Sequence, residues 1–289
     1  MFKFIFYKTK KMRKVLNLTK HLEFNFPSIN YKHFNFPSGE DHIKIDVSDI
    51  SHNDNVIIAS TLQPNIMTTL LATNVIKYKT KNIELFCPFL PYARQDRVMV
   101  PGEPFSLKVL ADTINNQNYN KVHVLDPHSE VTTALINNIN IIPNNIFIKT
   151  AWQSIQRINP DKELYLVSPD AGALKKCWKI VETLGLTNLV QATKNRNVNT
   201  GRITETQVFQ DVKDKICVIV DDIIDGGATF INLARVLKEK GASKVYLIVS
   251  HGIFSKKYET LKILDGIYAT DSFQVVDDPL VTLIPIHTF

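Results

Sequence analysis

The stretch Ile216-Cys-Val-Ile-Val-Asp-Asp-Ile-Ile-Asp-Gly-Gly-Ala-Thr-Phe230 decides the fold. Its apolar start, residues 216–220, predicts a buried strand, and the pattern of residues 230–240, closed by Gly241, predicts a helix. A loop of small residues between a strand and a helix points backbone N–H groups at an anion, and the helix dipole favours negative charge there. The stretch therefore predicts an anion site at a strand–helix junction.

The loop and the two acids before it together match the chemistry of a ribose 5-phosphate. The loop residues are Asp225, Gly226, Gly227, Ala228 and Thr229. Glycine lets the backbone approach a phosphate closely, and the Thr229 hydroxyl can donate a hydrogen bond. Asp221 and Asp222 are unsuited to holding phosphate, but they can accept hydrogen bonds from sugar hydroxyls. The alternative is an ordinary strand end whose acids cap a helix.

This segment resembles the phosphoribosyl-binding loop of the type I phosphoribosyltransferase fold. It is not a P-loop, because no Gly-Lys-Ser/Thr follows, and it is not a GxGxxG fingerprint. Taken alone, it fits phosphoribosyltransferases, their regulatory relatives and the synthetases that make phosphoribosyl pyrophosphate (PRPP). The other motifs must decide among these classes.

Length and composition predict a globular, soluble chain of two domains. The 289 residues suffice for two cores, with 44% hydrophobic and 21% charged residues. No uninterrupted apolar stretch approaches the length of a transmembrane helix, and the N-terminus lacks the apolar region and cleavage site of a signal peptide. The three cysteines have no metal-ligand spacing, so we expect reduced core residues in a cytoplasmic protein.

The net charge of +6 suggests a partner or substrate that carries negative charge. No basic tract beyond residues 8–14 and no RNP, zinc-finger or basic-helix pattern points to nucleic acid. Polyanionic small substrates explain the charge equally well. We therefore expect neither a nucleic-acid partner nor a membrane partner.

Strand-like and helix-like segments alternate along the chain. The predicted strands are residues 56–60, 83–89, 121–125, 163–168, 189–193, 216–220, 245–249 and 280–286. The predicted helices are residues 66–78, 105–116, 131–138, 171–184 and 230–240. This alternation predicts an α/β fold with parallel sheets flanked by helices. The similar order in the two halves indicates a duplicated fold with a connector at residues 143–150, giving domains of residues 1–145 and 146–289.

Polar residues gather at the predicted carboxyl ends of the strands, where open parallel sheets bind ligands. The clusters are residues 60–65, 91–97, 126–130, 168–170 and 221–229. In the second cluster, the guanidinium groups of Arg94 and Arg97 suit phosphate, and Gln95 can bind an adenine edge or a ribose. The alternative for this cluster is a solvated loop with an internal Arg–Asp pair.

His128 and Asp170 are the candidate ligands for a hard cation. Mg²⁺ takes one or two protein ligands and completes its shell with water and substrate phosphates, so this sparse set suits Mg²⁺ with ATP. The absence of His/Cys clusters argues against structural zinc. For His128 the alternative is a packed or surface histidine.

Lys194 and Arg196 open a polar segment, residues 193–201, between two strands. Two cations on a flexible arm can stabilise the charge that develops on transferring phosphoryl oxygens while the arm excludes water. The alternative is an exposed basic hairpin.

Together these motifs resemble, over about residues 34–286, those of ribose-phosphate pyrophosphokinases, the PRPP synthetases. The matching segments are Phe36-Pro-Ser-Gly-Glu40, Ser60-Thr-Leu-Gln-Pro-Asn65, Tyr92-Ala-Arg-Gln-Asp-Arg97, Leu125-Asp-Pro-His-Ser-Glu130, Val167-Ser-Pro-Asp170, Lys194-Asn-Arg196, Val220–Thr229 and Ser250-His-Gly-Ile-Phe-Ser255. An ordinary phosphoribosyltransferase would share only the ribose-phosphate loop.

The resemblance implies two tandem type I phosphoribosyltransferase-like domains, with ATP and ribose 5-phosphate meeting at their interface. It implies ATP-binding roles for Arg94, Gln95, Phe36, Ser38, Gly39 and Glu40, of which Phe36, Gly39 and Glu40 reach the adenine of a neighbouring subunit. It also implies magnesium sites at His128 and Asp170, a catalytic arm with Lys194 and Arg196, ribose hydroxyls on Asp221 and Asp222, and the 5-phosphate on residues 225–229.

The implied reaction is in-line attack of the ribose 1-hydroxyl on the β-phosphorus of ATP, which transfers pyrophosphate and releases AMP. The resemblance further implies Mg²⁺ as cofactor and a homo-oligomer, either a dimer or a hexamer. Two alternatives stay open: a noncatalytic regulatory subunit, and a phosphoribosyltransferase that uses PRPP. The second would show no requirement for ATP.

The chain departs from the family pattern in several places. Ser38 replaces an acid that contacts adenine, and Asn195 stands where the arm usually carries an arginine. Ala228 replaces a glycine, and residues 98–103 replace a basic segment, so phosphate activation of the usual type is not expected. The chain ends at Phe289, about where the family would add a final helix.

Overall fold

The computed structural model describes residues 12–19, 21–63, 66–196, 203–256 and 258–286, without the side chains of residues 194–196 and 203–205. The chain divides into two compact units. The first ends at Ile142 and the second comprises Pro143–Ile286. Each unit contains a mainly parallel sheet and its own hydrophobic core.

The first unit is built on a parallel sheet of five strands. The strands are β1 (Arg13–Asn17), β4 (Asn55–Ala59), β5 (Ile83–Cys87), β6 (Lys121–Leu125) and β7 (Ile139–Ile142). They lie in the order β1-β4-β5-β6-β7, so all their carboxyl ends share one edge. An antiparallel hairpin is formed by β2 (Tyr31–Asn35) and β3 (Asp41–Ile45). The helices are α1 (Ile66–Lys77), α2 (Ser106–Asn115) and α3 (Val131–Leu135).

The second unit contains a sheet of seven strands. These are β8 (Leu164–Ser168), β9 (Leu189–Arg196), β10 (Ile203–Val208), β11 (Ile216–Ile224), β12 (Lys244–Gly252), β13 (Gly266–Thr270) and β14 (Val281–Ile284). Their order is β10-β9-β8-β11-β12-β13-β14, and every pairing except β9 with β10 is parallel. The helices are α4 (Asn145–Ile158), α5 (Leu174–Leu184), α6 (Ala228–Glu239) and a short 3-10 helix (Tyr258–Leu261).

Strand β11 is apolar at successive positions because both faces of its sheet are covered. Ile216 and Val218 belong to the core that includes residues of α4 and α5. Cys217 and Ile219 belong to the core that includes residues of α6. Burial on both faces is the reason that parallel strands read as continuous apolar runs. The predicted α/β architecture with parallel sheets flanked by helices is confirmed.

Two predicted boundaries are wrong. Residues 145–150, assigned to a connector, begin α4, whose residues Ile148, Ala151 and Ile155 are buried at helical spacing. Residues 221–224, assigned to a loop, extend β11 as far as Ile224, because β12 continues beside them as far as Gly252. Strands β1, β2, β3, β7, β10 and β13 were not predicted.

The described end of the N-terminal basic segment is part of the first sheet. Lys14 lies on β1 and is only 7% exposed, and its Nζ contacts Oδ2 of Asp54 at 3.2 Å. Part of the basic tract in the sequence is therefore neutralised inside the fold. No helix in the described part of the chain combines the length and the apolar character needed to cross a bilayer.

Candidate functional site

The junction of β11 and α6 requires glycine at position 227. Gly227 is the N-cap of α6 and lies in the left-handed region (φ 76°). A Cβ atom built at this residue would lie 2.6 Å from Cδ2 of Leu261, which is closer than real contacts allow. A glycine cap supplies no side-chain acceptor to the first turn of α6, and that turn contains no acid. Helix N–H groups of this kind favour an anion.

Asp221 and Asp222 lie on β11 beyond the point where its pairing with one neighbouring strand ends, while its pairing with the other neighbour continues. Strand β8 pairs with β11 only as far as Ile219, whereas β12 continues to Ile224. The backbone N–H of Asp222 donates to Oδ1 of Asp221 (2.9 Å). Asp222 is 6% exposed and Asp221 is partly buried. Two adjacent carboxyl groups are thus held at the carboxyl end of a central strand.

Negative neighbours shape the chemistry of Asp221. Burial raises the pKa of its carboxyl group well above the usual value, and the charges of Asp222 and Asp170 raise that pKa further. A cation or a set of hydroxyl donors would relieve this repulsion. The raised pKa of Asp221 therefore marks this strand end as a candidate binding site.

Asp170 is positioned by the turn between β8 and α5. Its Oδ1 accepts from the backbone N–H of Ala173 (2.9 Å), and its carbonyl oxygen accepts from the Ser168 hydroxyl (2.8 Å). A Cβ atom at Gly172 would lie 3.2 Å from Oδ1 of Asp170, so glycine leaves room for the carboxylate. The charge of Asp170 acts on Asp221, so the structure places Asp170 near the two acids of β11, as expected for polar clusters at the carboxyl ends of parallel strands.

In the first unit, Arg94 and Gln95 lie on an exposed turn after β5. The N–H of Gln95 donates to the carbonyl oxygen of Tyr92 (2.8 Å), and its own carbonyl oxygen accepts from the N–H of Leu107 (3.2 Å). Tyr92 has a positive φ of 61°. Such backbone strain concentrates at functional sites. The turn is thus tied to α2 while its polar side chains point outward.

Ser129 ties the loop after β6 to the loop after β5. Its hydroxyl donates to Oδ2 of Asp96 (2.7 Å) and accepts from the N–H of Val131 (3.1 Å). Arg97 also donates to Asp96 (3.0 Å). The hydrogen bonds to Asp96 lower its pKa, and the bond from Arg97 has the largest effect. His128 is exposed beside the buried Ser129. The sequence contained Asp96 and Ser129 within its motifs but gave no sign that they contact each other.

The segment Phe36–Glu40 is the tip of the β2–β3 hairpin. The N–H of Phe36 donates to the carbonyl oxygen of Glu40 (2.9 Å), and Gly39 adopts a φ of 93°. The Ser38 hydroxyl donates to the Glu40 carboxylate. Phe36 is 46% exposed, and its ring lies 5.4 Å from that of His42. The tip thus presents an aromatic face and a carboxylate together.

Lys194 and Arg196 are on β9, which continues three residues beyond the predicted strand. Their backbones pair with Thr206 and Ile203 of β10. Their side chains and residues 197–201, the rest of the predicted arm, lie outside the described residues. The catalytic arm stays a prediction.

Among the described residues, no three His, Cys, Asp or Glu side chains form a group that could hold a metal by itself. His128 belongs to the first unit and Asp170 to the second. The oxygen donors near Asp170 nevertheless suit Mg²⁺, which needs few protein ligands when substrate phosphates complete its shell. The donor chemistry therefore fits magnesium bound together with a phosphate substrate.

Two protein families match this chain. Residues 6–117 match the N-terminal domain of ribose phosphate pyrophosphokinase, and residues 190–270 match the phosphoribosyl synthetase-associated domain. A ribose-phosphate pyrophosphokinase of Mycoplasma genitalium is 30% identical over 93% of this chain and 82% of its own length. That of Mycoplasmopsis pulmonis is 31% identical over 77% of this chain and 70% of its own length.

The fold has a solved counterpart. The crystal structure of phosphoribosylpyrophosphate synthetase from Mycobacterium smegmatis superposes with a TM-score of 0.81 at 22% identity, covering 96% of this chain and 95% of that one. At this identity the match supports the fold alone. The sequence relatives confirm the resemblance that the motifs indicated.

Proposed function

This chain belongs to the ribose-phosphate pyrophosphokinase family, and we propose that it transfers the β,γ-pyrophosphate of ATP to the 1-hydroxyl of ribose 5-phosphate, giving PRPP and AMP. One observation carries this proposal in the structure: paired carboxyl groups on β11 are followed by a glycine-capped helix start. That order suits a diol beside a phosphate.

In this proposal the second unit binds the sugar phosphate. Asp221 and Asp222 accept hydrogen bonds from the ribose hydroxyls. The loop Asp225-Gly-Gly-Ala-Thr229 receives the 5-phosphate through its backbone N–H groups and the Thr229 hydroxyl. The raised pKa of Asp221 supports this assignment, since hydroxyl donors or a nearby cation stabilise its charged form.

The first unit binds ATP. Arg94 and Gln95 contact the nucleotide, and the hairpin tip residues Phe36, Ser38, Gly39 and Glu40 reach the adenine bound by a neighbouring subunit. The exposed ring of Phe36 supports this role, because an aromatic face can stack on a base. This assignment requires a homo-oligomer, a dimer or a hexamer.

Chemistry proceeds by in-line attack of the 1-hydroxyl on the β-phosphorus. No covalent enzyme intermediate is needed, so positioning and charge neutralisation dominate. Lys194 and Arg196 act on the charge that develops on the transferring oxygens. His128 and Asp170 would hold Mg²⁺, which supplies further neutralisation of the ATP phosphates when bound.

We also assign the protein to the cytoplasm. All three cysteines, Cys87, Cys177 and Cys217, are buried and free. Burial raises the pKa of Cys217 to about 12 and that of Cys177 to about 11. Such thiols are unreactive core groups and suit a reducing compartment.

Product analysis tests the function. Purified protein is incubated with Mg²⁺, ATP and ribose 5-phosphate, AMP is quantified and the sugar product is identified by mass. We expect AMP and PRPP in a one-to-one ratio, formed only when the sugar phosphate is present. Binding of the sugar phosphate without any product, at varied nucleotide, phosphate and magnesium, would instead indicate a regulatory subunit.

A further inference from the structure

A lysine lies across the loop that receives the 5-phosphate. A Cβ atom built at Gly226 would lie 3.2 Å from Cε of Lys256, 3.3 Å from its Cδ and 3.7 Å from its Cγ. The stem of Lys256 thus runs along Gly226, and the ammonium group is one bond beyond Cε. A side chain at position 226 would displace this stem. Glycine therefore leaves room for both the lysine and a phosphate.

The backbone that carries Lys256 is anchored to the end of β11. The N–H of Ile253 donates to the carbonyl oxygen of Ile224 (2.8 Å), and Nε2 of Gln274 donates to the carbonyl oxygen of Ile253 (2.7 Å). Phe254 is only 8% exposed and packs against Tyr258 with ring centroids 5.3 Å apart. These contacts direct the next residues over the phosphate loop.

The charge of Lys256 has no structural explanation within the described part of the protein. The side chain is exposed and makes no ion pair or side-chain hydrogen bond with a described residue. It also lies beside the N-terminus of α6, where the helix dipole disfavours a cation. A cation in this place is stabilised when an anion binds between it and the helix.

Lys213 offers a matched comparison at the other end of the same helix. It covers Gly241, which follows α6, with its Cγ 3.3 Å from a Cβ built there. Both lysines are exposed and both lie over a glycine at an end of α6. At the C-terminal end, however, the dipole itself favours a cation. Lys213 therefore needs no ligand.

We infer that Lys256 is a ligand of the 5-phosphate of ribose 5-phosphate and contributes to selection of the phosphorylated sugar. The inference rests on the proposed function, because that function names the ligand. Lys256 directly follows the last residue of the matching segment that ends at Ser255. It was not recognised in the sequence because no local pattern links it to residue 226, thirty positions earlier.

The test measures ribose 5-phosphate binding by calorimetry and KM values in the PRPP assay. Lys256→Met keeps most of the apolar stem and removes the charge, Lys256→Arg keeps the charge, and Lys213→Met is the control. We expect Lys256→Met to weaken binding of ribose 5-phosphate about 3- to 10-fold, as fits an exposed charge on phosphate. The KM for ribose 5-phosphate should rise by the same factor with kcat unchanged, because ground state and transition state lose the contact equally.

Lys256→Arg and Lys213→Met should bind the sugar phosphate like the wild type. Added KCl should weaken binding by the wild type more steeply than binding by Lys256→Met, because salt screens the lost interaction. Unchanged binding in Lys256→Met, an equal loss in Lys213→Met, or a rise only in the KM for ATP would each overturn the inference.

The inference and the proposed function can fail separately. If the wild type makes PRPP while Lys256→Met binds ribose 5-phosphate normally, only the inference is wrong. If the wild type binds the sugar phosphate in a Lys256-dependent way but yields no PRPP, only the function is wrong. If the wild type does not bind the sugar phosphate, both are wrong.

Discussion

Two groups of buried acids, one in each unit, have opposite surroundings. In the first unit, Glu84 accepts from Nε2 of His123 (2.9 Å) and from Nδ2 of Asn55 (2.7 Å), and Arg13 lies 3.9 Å away. These partners together lower the pKa of Glu84 to about 2, and the hydrogen bond from His123 has the largest effect. In the second unit, the charges that act on Asp221 are those of other acids, and the pKa of Asp221 is raised.

We propose that the difference separates an acid that stabilises the fold from acids that bind a ligand. The Glu84 group spans the middle of its sheet, where Nδ1 of His123 accepts from Asn140 (3.0 Å), so the Glu84 carboxylate and both ring nitrogens of His123 have partners within the protein. The Asp221 group lies at a carboxyl strand end, the place where parallel sheets bind ligands. Its repulsion is relieved by what binds.

Removal of the predicted catalytic cation should have the largest effect. If the acidic site of the second unit binds a polyanionic substrate for phosphoryl-type transfer, Lys194→Ala should lower kcat about 100- to 1,000-fold, since one hydrogen-bond donor to the transition state is lost. Ribose 5-phosphate affinity should change little. Steady-state kinetics and calorimetry provide both values, with Lys162→Ala as a surface control. An equal loss of binding and turnover would contradict a role confined to the transition state.

Neutralising the acids of the second unit should remove sugar binding without harming the fold. Asp221→Asn combined with Asp222→Asn should weaken ribose 5-phosphate binding about 100-fold, because charge-assisted bonds to the hydroxyls are lost. The free energy of unfolding without ligand should stay equal or increase, since repulsion between the acids is removed. Calorimetry and denaturant unfolding measure the two quantities. Lower stability would make these acids structural, like Glu84.

Glu84→Gln should have the opposite pattern. The lowered pKa of Glu84 stabilises the folded state by roughly 3 kcal/mol at neutral pH. Because the folded pKa lies below the unfolded one, this contribution is present above about pH 5 and disappears as the pH falls towards 2. The stability gap between wild type and Glu84→Gln should therefore close on acidification, with Glu103→Gln as an exposed control. A gap independent of pH would remove the ionic interpretation.

Asp96 is intermediate between these two kinds of acid. Like Glu84 it accepts hydrogen bonds from other side chains, but it lies near a proposed binding loop. Ser129→Ala removes one of these bonds and should raise the KM for ATP about 3- to 10-fold, because the Arg94–Gln95 turn loses a tie to the next loop. The KM for ribose 5-phosphate should not change. Ser129→Thr, which keeps the hydroxyl, should restore the value. Unchanged kinetics in Ser129→Ala would show that the tie does not position the turn.

The sequence predicted the α/β architecture and the strand–loop–helix junction that contains Gly227 because both depend on local patterns. Apolar runs mark buried strands, and the glycine at 227 marks a tight turn with a positive φ, which glycine adopts without steric cost. The pairing of Glu84 with His123 and the approach of Lys256 to Gly226 depend on tertiary structure. Residues far apart in the chain meet there, and neither the spacing nor the type of residue reveals it. Helix α4 was not predicted because its start is formed by two asparagines that follow Pro143, and such residues are typical of a connector.

The most direct test of the account is the shift in melting temperature caused by ribose 5-phosphate with Mg²⁺. A ligand that binds only the folded state stabilises it by an amount set by its affinity, about 3 kcal/mol at 100 times Kd. Wild type and Glu84→Gln should show the same upward shift, although Glu84→Gln starts from a lower melting temperature. The double variant Asp221→Asn, Asp222→Asn should show almost none. A full shift in the double variant would contradict the assignment of these acids to the sugar phosphate.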